Sequence, residues 1–432
     1  MAHIALISEH ASPLAAAGSV DSGGQNIYVA QIARQFAAAG HQVDIYTRKD
    51  AVDQAACVRW LPGVRVIHIE AGPARFLPKE SLLPWLPDFE SGLIQHFISQ
   101  ADPYDVVHAN FFMSASVGLK AARIVGCPLI VTFHALGKVR RQHQGEADGF
   151  PDARFAMEAD VVREADCIIA ECPQDRNDLV ALYGADASRI AVVPCGYDPQ
   201  EMQPCDMAAA RAHLGWRDGR FRILQLGRLV PRKGVDNVIR AVACLRRRHK
   251  VDARLCVVGG DARDLSVSRL PEVARLRAVC AEEGVTDVVE FAGRRDRFEL
   301  ARYYGASDVF VTTPWYEPFG ITPVEAMACE RPVVGADTGG IRTTVVDGRT
   351  GFLVPPRDAE TLAERLAALA RNPALRAQMG NAGLRRARRL YTWKRVATEL
   401  LDVYGELSGI RGSHPHLDVR VRASGSATAV AA

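Results

Sequence analysis

The chain has 432 residues, 48% hydrophobic and 24% charged, a size and composition that suit two or three globular domains with sizeable cores. Its 53 basic and 50 acidic residues leave a formal charge of +3, which gives no argument for a nucleic-acid partner, and no apolar run reaches the ~18 residues of a membrane span. The 10 cysteines include no C-x-x-C pair and read as reduced core residues, and no basic leader precedes the first strand, so a cytoplasmic protein without signal peptide or zinc framework is expected.

His3–Ser8 alternates too little for an exposed strand and reads as a buried parallel one. A small-residue loop then ends in Asp21-Ser22-Gly23-Gly24-Gln25-Asn26. A helix is predicted from about Ile27 to Ala39, with Gly40 closing it, and a second strand over Gln42–Thr47. The glycine pair at the helix entrance fits a tight turn and fits equally a close approach of backbone to a ligand. G-x-G-x-x-G is absent. Further strands are predicted at Val64–Ile69, Val106–Ala109, Leu129–Thr132, Cys167–Ala170 and Ile190–Val193, with helices between most of them. Residues 1–198 therefore read as one doubly wound α/β domain. His134, in Thr132-Phe133-His134-Ala135-Leu136-Gly137, falls at a strand's carboxyl end, where a packing role and a chemical one are both open.

Pro194–Pro199 breaks the alternation as a linker, and a second αβ series occupies 199–392. Strand Phe221–Leu226 leads into Gly227-Arg228-Leu229-Val230-Pro231-Arg232-Lys233-Gly234 and a helix over Val235–Arg247. Paired cations on a glycine-bounded loop before a helix suit a diphosphate, although each alone also reads as surface charge. Strands follow at Ala253–Val258, Val288–Phe291, Val309–Thr312, Pro332–Gly335 and Gly351–Val354. Pro314–Ala328, PWYEPFGITPVEAMA, carries two carboxylates, Glu317 on a strand-end loop and Glu325 in the first turn of the next helix. Thr322-Pro323-Val324-Glu325 also fits a capping box with Pro at the first helical position, so Glu325 is open to a ligand role or a cap. Helices are predicted over Ala359–Arg371, Leu375–Leu390 and Trp393–Leu407, and a disordered tail over 408–432.

Together GGQN, TFHALG, GR-x4-KG and EPFGITPVEA, each at the matching place over about residues 1–407, resemble the retaining glycosyltransferases of family 4. The nearest patterns are those of sucrose-phosphate synthases and of the inositol-phosphate N-acetylglucosaminyltransferases of mycothiol synthesis. The resemblance implies two facing Rossmann-like domains (the GT-B fold), with the last helix, 393–407, returning to the first domain. It implies a sugar-nucleotide donor, UDP-sugar favoured over GDP- or ADP-sugar, bound by the second domain. It implies a hydroxyl acceptor, a phosphorylated sugar or polyol, bound by the first, and no metal or other cofactor. Arg228 and Lys233 would then clamp the donor diphosphate, with Gly23 and Gly24 close to it. Glu317 and the amides of Phe319, Gly320 and Ile321 would meet the donor sugar, Glu325 the ribose, Arg294 the base and His134 the reaction centre. Gln25, Asn26, Lys79, Lys138 and Arg154 would face the acceptor. Phe111 and Ala135 depart from the phosphate-binding Tyr and Thr of the mycothiol enzymes, and Lys138, Arg140 and Arg141 would compensate or serve a different anionic acceptor. A sugar-nucleotide-binding regulator without turnover, and an epimerase or phosphorylase, are the competing readings.

Overall fold

The computed structural model describes residues 1–15 and 23–408; Asp21, Ser22 and the predicted tail beyond Ser408 lie outside the described residues. The first sheet contains β1 (His3–Ile7), β2 (Gln42–Arg48), β3 (Cys57–Leu61), β4 (Val64–Ile69), β5 (Val106–Asn110), β6 (Leu129–Thr132), β7 (Cys167–Ala170) and β8 (Ile190–Val192). Their order is β3-β4-β2-β1-β5-β6-β7-β8, parallel except for β3, which pairs antiparallel with β4. The second sheet contains β9 (Phe221–Leu226), β10 (Ala253–Val258), β11 (Val289–Gly293), β12 (Val309–Thr312), β13 (Val333–Ala336) and β14 (Gly351–Val354). It is parallel throughout, in the order β11-β10-β9-β12-β13-β14.

Most of these strands are short apolar runs because helices cover both faces. β3 is the exception that the sequence pattern hid. It is an edge strand, largely half-exposed, and Arg34 lies 5.1 Å over the ring of its Trp60. The chain reverses its direction of growth between β1 and β5 in one sheet, and between β9 and β12 in the other. Those two switch points open crevices at the strands' carboxyl ends, and the crevices face each other.

Two crossings join the halves. Around Tyr197 the chain leaves the first sheet, and around Thr392 it returns. The Tyr197 amide donates to Tyr391 O at 2.7 Å and the Trp393 amide to Tyr197 O at 3.1 Å, so the two crossings are zipped together. Helix Trp393–Ser408 then packs on helix Gly24–Ala38, with Phe36 and Tyr404 ring centres 5.5 Å apart and the Tyr404 hydroxyl on buried His108. A Cβ on Gly196 would stand 2.9 Å from both Trp393 N and Tyr391 O, so glycine permits the close approach. Gly196→Ala is expected to destabilise the chain by about 1–3 kcal/mol, as overpacking against backbone does. Urea denaturation checks this: an unchanged midpoint would mean that the crossings are not tightly coupled.

Candidate active site

The facing crevices enclose one cavity of about 320 Å³, with walls from both halves. Three contacts close it across the halves. Gln144 Nε2 donates to the Tyr316 hydroxyl at 2.6 Å, His143 stacks on the Tyr316 ring at 5.0 Å, and Cys172 Sγ donates to Pro318 O at 3.2 Å.

The second-half wall is built on loops that follow β9 and β12. Gly234 has φ +64° and a Cβ there would lie 2.1 Å from Thr313 O, so glycine lets the loop Gly227–Gly234 lie flat on the end of β12. That loop brings Arg228, Arg232 and Lys233 to the cavity. Lys233 Nζ is ion-paired with Glu317, and Arg232 lies 3.9 Å from the same carboxylate oxygen. Burial drives the Lys233 pKa down to about 8, against the attraction of Glu317. For Glu317, burial acts upward, but Lys233, Arg232 and Arg228 outweigh it and hold the carboxyl below its ordinary value. The sequence reading gave these two side chains separate ligands; the structure makes them partners of each other. Three cations around one buried carboxylate form an anion receptor whose internal anion is Glu317.

The loop after β12 is buttressed from behind. A Cβ on Gly339 would stand 2.0 Å from Glu317 O, and one on Gly340 2.3 Å from Phe319 Cα. The Gly339-Gly340 turn therefore supports the Glu317–Phe319 backbone. Gly320, at φ +89°, caps helix Ile321–Ala328, whose first amides face the cavity region lined by Phe319, Gly320 and Ile321. The predicted capping box is not formed. The helix begins at Ile321, which puts Thr322 and Glu325 inside it, and no side chain caps it. Glu325 is instead 2% exposed, accepts from the Tyr304 hydroxyl at 3.0 Å and is ion-paired with Arg297 at 2.8 Å. Arg294 lines the same end of the cavity, its amide donating to Ala262 O at 2.7 Å.

On the first-half wall, His134 has φ +58°, an uncommon conformation for a residue with a side chain. Its Nδ1 lies 2.9 Å from Glu171 and its Nε2 3.0 Å from Asn110 Oδ1, and the Tyr28 ring meets it edge-on at 4.9 Å. Glu171 also accepts from Cys195 Sγ at 3.0 Å. Behind it, burial and the neighbouring Glu171 charge push Asp175 up to about 8. Asn110 ends β5 and Glu171 follows β7 as His134 follows β6; neither was singled out from sequence, although their strand-end positions were the available signal.

Gly23 and Gly24 both line the cavity. Gly23 is extended, at φ −132°, so no turn demands glycine there. A Cβ on it would lie 3.7 Å from the Arg228 guanidinium, and one on Gly24 3.6 Å from Ile321, so the pair marks where the two walls meet. Gln25 donates to Ser8 Oγ at 3.1 Å and Asn110 O at 3.2 Å. Asn26 accepts from the Gly23 amide at 3.1 Å and donates to Ser12 O at 3.0 Å. Both line the cavity while holding its floor. Lys79 also lines it, beside Glu80 at 3.2 Å.

Two of the expected acceptor cations stand elsewhere. Lys138 turns to Leu182 O and lies 4.6 Å over the Tyr183 ring, outside the cavity. Arg154 is fully buried behind the wall. It is paired with Glu158 at 2.7 Å and packed against Phe111, Phe112 and Phe150 at 5.0, 4.5 and 4.8 Å. Glu158 in turn accepts from the Gly137 amide at 3.0 Å and from the Tyr183 hydroxyl. Arg154 thus holds Ala135 and Phe111 in place from below. Arg140, paired with Asp148 at 2.7 Å, and His10 reach the cavity instead. Among the described residues no His, Cys, Asp and Glu cluster could hold a metal, and no helix is long and apolar enough to cross a membrane. Asp261 and Asp264 accept from the Ser268 hydroxyl and the Ser266 amide at 2.5 and 2.8 Å.

Comparison with known proteins agrees with this architecture. Residues 23–196 match the family model described as a glycosyl transferase 4-like domain, and residues 206–386 the model of glycosyl transferases group 1. A D-inositol 3-phosphate glycosyltransferase of Acidothermus cellulolyticus is 38% identical, over 93% of this chain and 89% of that one. The structure of a sucrose-phosphate synthase from Thermosynechococcus elongatus superposes with a TM-score of 0.86 at 33% identity, covering 95% of this chain and 100% of that one. An Anabaena protein, HepE, solved with UDP-glucose, shares the fold at TM-score 0.73 and 21% identity, with 94% and 100% coverage.

The Lys233 pKa near 8 gives a measurable linkage. A diphosphate seated on Lys233 would restore the ammonium, so that its binding would take up a proton above about pH 8 and none well below it. Affinity falls as pH rises through that value. Calorimetry of a nucleoside diphosphate at about pH 8.5, in buffers of different ionisation enthalpy, reads the uptake directly. Zero uptake would mean that Lys233 does not receive the anion.

Proposed function

Because this chain belongs to family 4 of the glycosyltransferases and has the GT-B fold, we propose that it moves a hexosyl group, with retention and without a metal, from a UDP-sugar to a hydroxyl of a phosphorylated sugar or polyol. The observation that carries the reading is one cavity with cations Arg228, Arg232 and Lys233 and a helix start on one wall, and His134 on the other. The donor diphosphate displaces Glu317 from Lys233 and takes the three cations and the helix amides as counter-charge. Glu317, released, turns to the hydroxyls of the donor sugar. Glu325 takes the ribose, and the strand ends before Gly260 and Arg294 take the base.

With retention, the acceptor oxygen bonds C1 on the face from which the diphosphate leaves. As the C1–O bond to phosphate breaks, the leaving phosphate oxygen is the base next to the acceptor hydroxyl, and it takes that proton. His134, fixed by Glu171 and Asn110, lines the reaction centre and bonds the sugar. Lys79 and Arg140 bring two cations to the first-half end of the cavity, paired in the empty site with Glu80 and Asp148, which supports an anionic acceptor that competes with those carboxylates. The names of the relatives, an inositol 3-phosphate glycosyltransferase and a sucrose-phosphate synthase, point the same way.

The test is a matrix of UDP-, GDP- and ADP-sugars against phosphorylated and neutral polyols and sugars, read by mass spectrometry and by the anomeric coupling of the product. A UDP-sugar with a phosphorylated acceptor should give one retained product, unaffected by EDTA. An inverted product, a metal requirement, or equal use of the neutral acceptor would overturn the corresponding part. Arg228→Ala and Lys233→Ala should each lower turnover by on the order of 10²-fold, because both act on leaving-group charge, and Lys233→Ala should also lower the melting temperature, because Glu317 loses its ion-pair partner. Full turnover at saturating donor in either variant would refute the diphosphate assignment.

A further inference from the structure

Tyr316 is buried at the seam between the halves, and side chains from both meet on its ring. From the first half, helix Gly137–Gln144 supplies two contacts. His143 stacks on the ring at 5.0 Å with 21° between the planes, and Gln144 Nε2 donates to the hydroxyl at 2.6 Å. From the second half, the Arg232 guanidinium lies 5.0 Å from the ring centre, and its Nη1 donates to Tyr316 O at 3.4 Å. The backbone repeats the link, since the Trp315 amide donates to Arg232 O at 2.8 Å. Arg232 is also one of the cations around Glu317, 3.9 Å from its carboxylate. Burial and nearby Arg357 hold His143 below its ordinary value, so near neutral pH the ring meets one cation, Arg232, and one uncharged imidazole. The same helix has a second task. Three residues before His143, and so on the same side of the helix, Arg140 reaches the acceptor end of the cavity.

We infer that Tyr316 is a positioning residue that couples occupancy of the donor cations to helix Gly137–Gln144, and so sets where Arg140 stands when the acceptor arrives. A diphosphate on Arg232 fixes the guanidinium. The fixed guanidinium holds the phenol, and the phenol holds His143 and Gln144. A tyrosine suits the task, because its ring takes an imidazole and a guanidinium while its hydroxyl takes an amide. Linkage makes the coupling reciprocal: an anion that steadies the helix through Arg140 tightens the hold on the diphosphate by the same factor. The other contact across the seam, Cys172 Sγ with Pro318 O, comes from a different segment of the first half. The inference rests on the proposed nucleotide donor.

The test is hydrogen exchange of the full chain, read by mass spectrometry with and without saturating UDP. The chains compared are the parent, Tyr316→Leu, and a His143→Ala/Gln144→Ala double variant that strips the first-half contacts and leaves the second half intact. In the parent, UDP should slow exchange in the loop Gly227–Gly234, and in helix Gly137–Gln144 by on the order of fivefold or more. Both variants should keep the slowing in the loop and lose it in the helix, a split that general destabilisation would not produce. If Tyr316→Leu does not fold, the double variant carries the test. Helix slowing equal to the parent's in either folded variant overturns the inference, and so does a parent whose loop is protected while its helix is not. No slowing in the loop by UDP, or by GDP and ADP tried alongside, would instead refute the nucleotide donor and take this inference with it.

Discussion

The ion pair between Lys233 and Glu317 is the constraint on which the site depends. Its partners are 84 residues apart in sequence and come from two loops, one after β9 and one after β12. Burying either charge alone would be costly, and removing one partner of such a pair leaves the other uncompensated. Around the pair the chain has little freedom. Gly234 rests on the backbone of Thr313, Gly339 on that of Glu317, and Gly340 on that of Phe319. The pair is also polarised. Arg232 and Arg228 favour the anion, while burial weakens the hold of Lys233 on its proton. In the proposed reading, a site held this way exchanges anions: a diphosphate takes the place of Glu317 and frees it for hydroxyl groups.

That exchange has to be coupled to the opposite wall, and the crossings and closing contacts supply the coupling. Tyr316 precedes Glu317 directly, yet its hydroxyl and ring are held by Gln144 and His143 of the first half. Pro318 follows Glu317 and meets Cys172. The residues either side of the central carboxylate thus both touch the first half. On that side His134 is pinned by Glu171 and Asn110, and through Tyr28 it adjoins Trp393, where the final helix begins. Both walls of the cavity therefore register the closure of the halves in side chains next to the groups proposed for chemistry.

The sequence carried most of the fold because buried parallel strands announce themselves as apolar runs. Thirteen of the strands fall where such runs lie, and β3 does not, because an antiparallel edge strand containing Arg59 and half-exposed Trp60 has no such run. The loops that carry the site were legible for the same reason, since each follows a legible strand. What the sequence could not show was pairing at a distance. The spacing of Thr322 and Glu325 looked like a cap until the helix proved to start at Ile321, held by the positive φ of Gly320. The position of Arg154 looked like an anion ligand, but three phenylalanine rings and Glu158 enclose it. Arg297 had no local signal at all, because its meaning comes from Glu325 and Glu201, which lie on other elements.

The most direct measurement of the central claim is a structure of the chain with UDP bound. The account predicts Lys233 Nζ on a diphosphate oxygen, Glu317 turned away from Lys233 toward the space of the donor sugar, and Arg228 on the same diphosphate. A complex in which the Lys233–Glu317 pair stays intact while the diphosphate lies on other residues would contradict it.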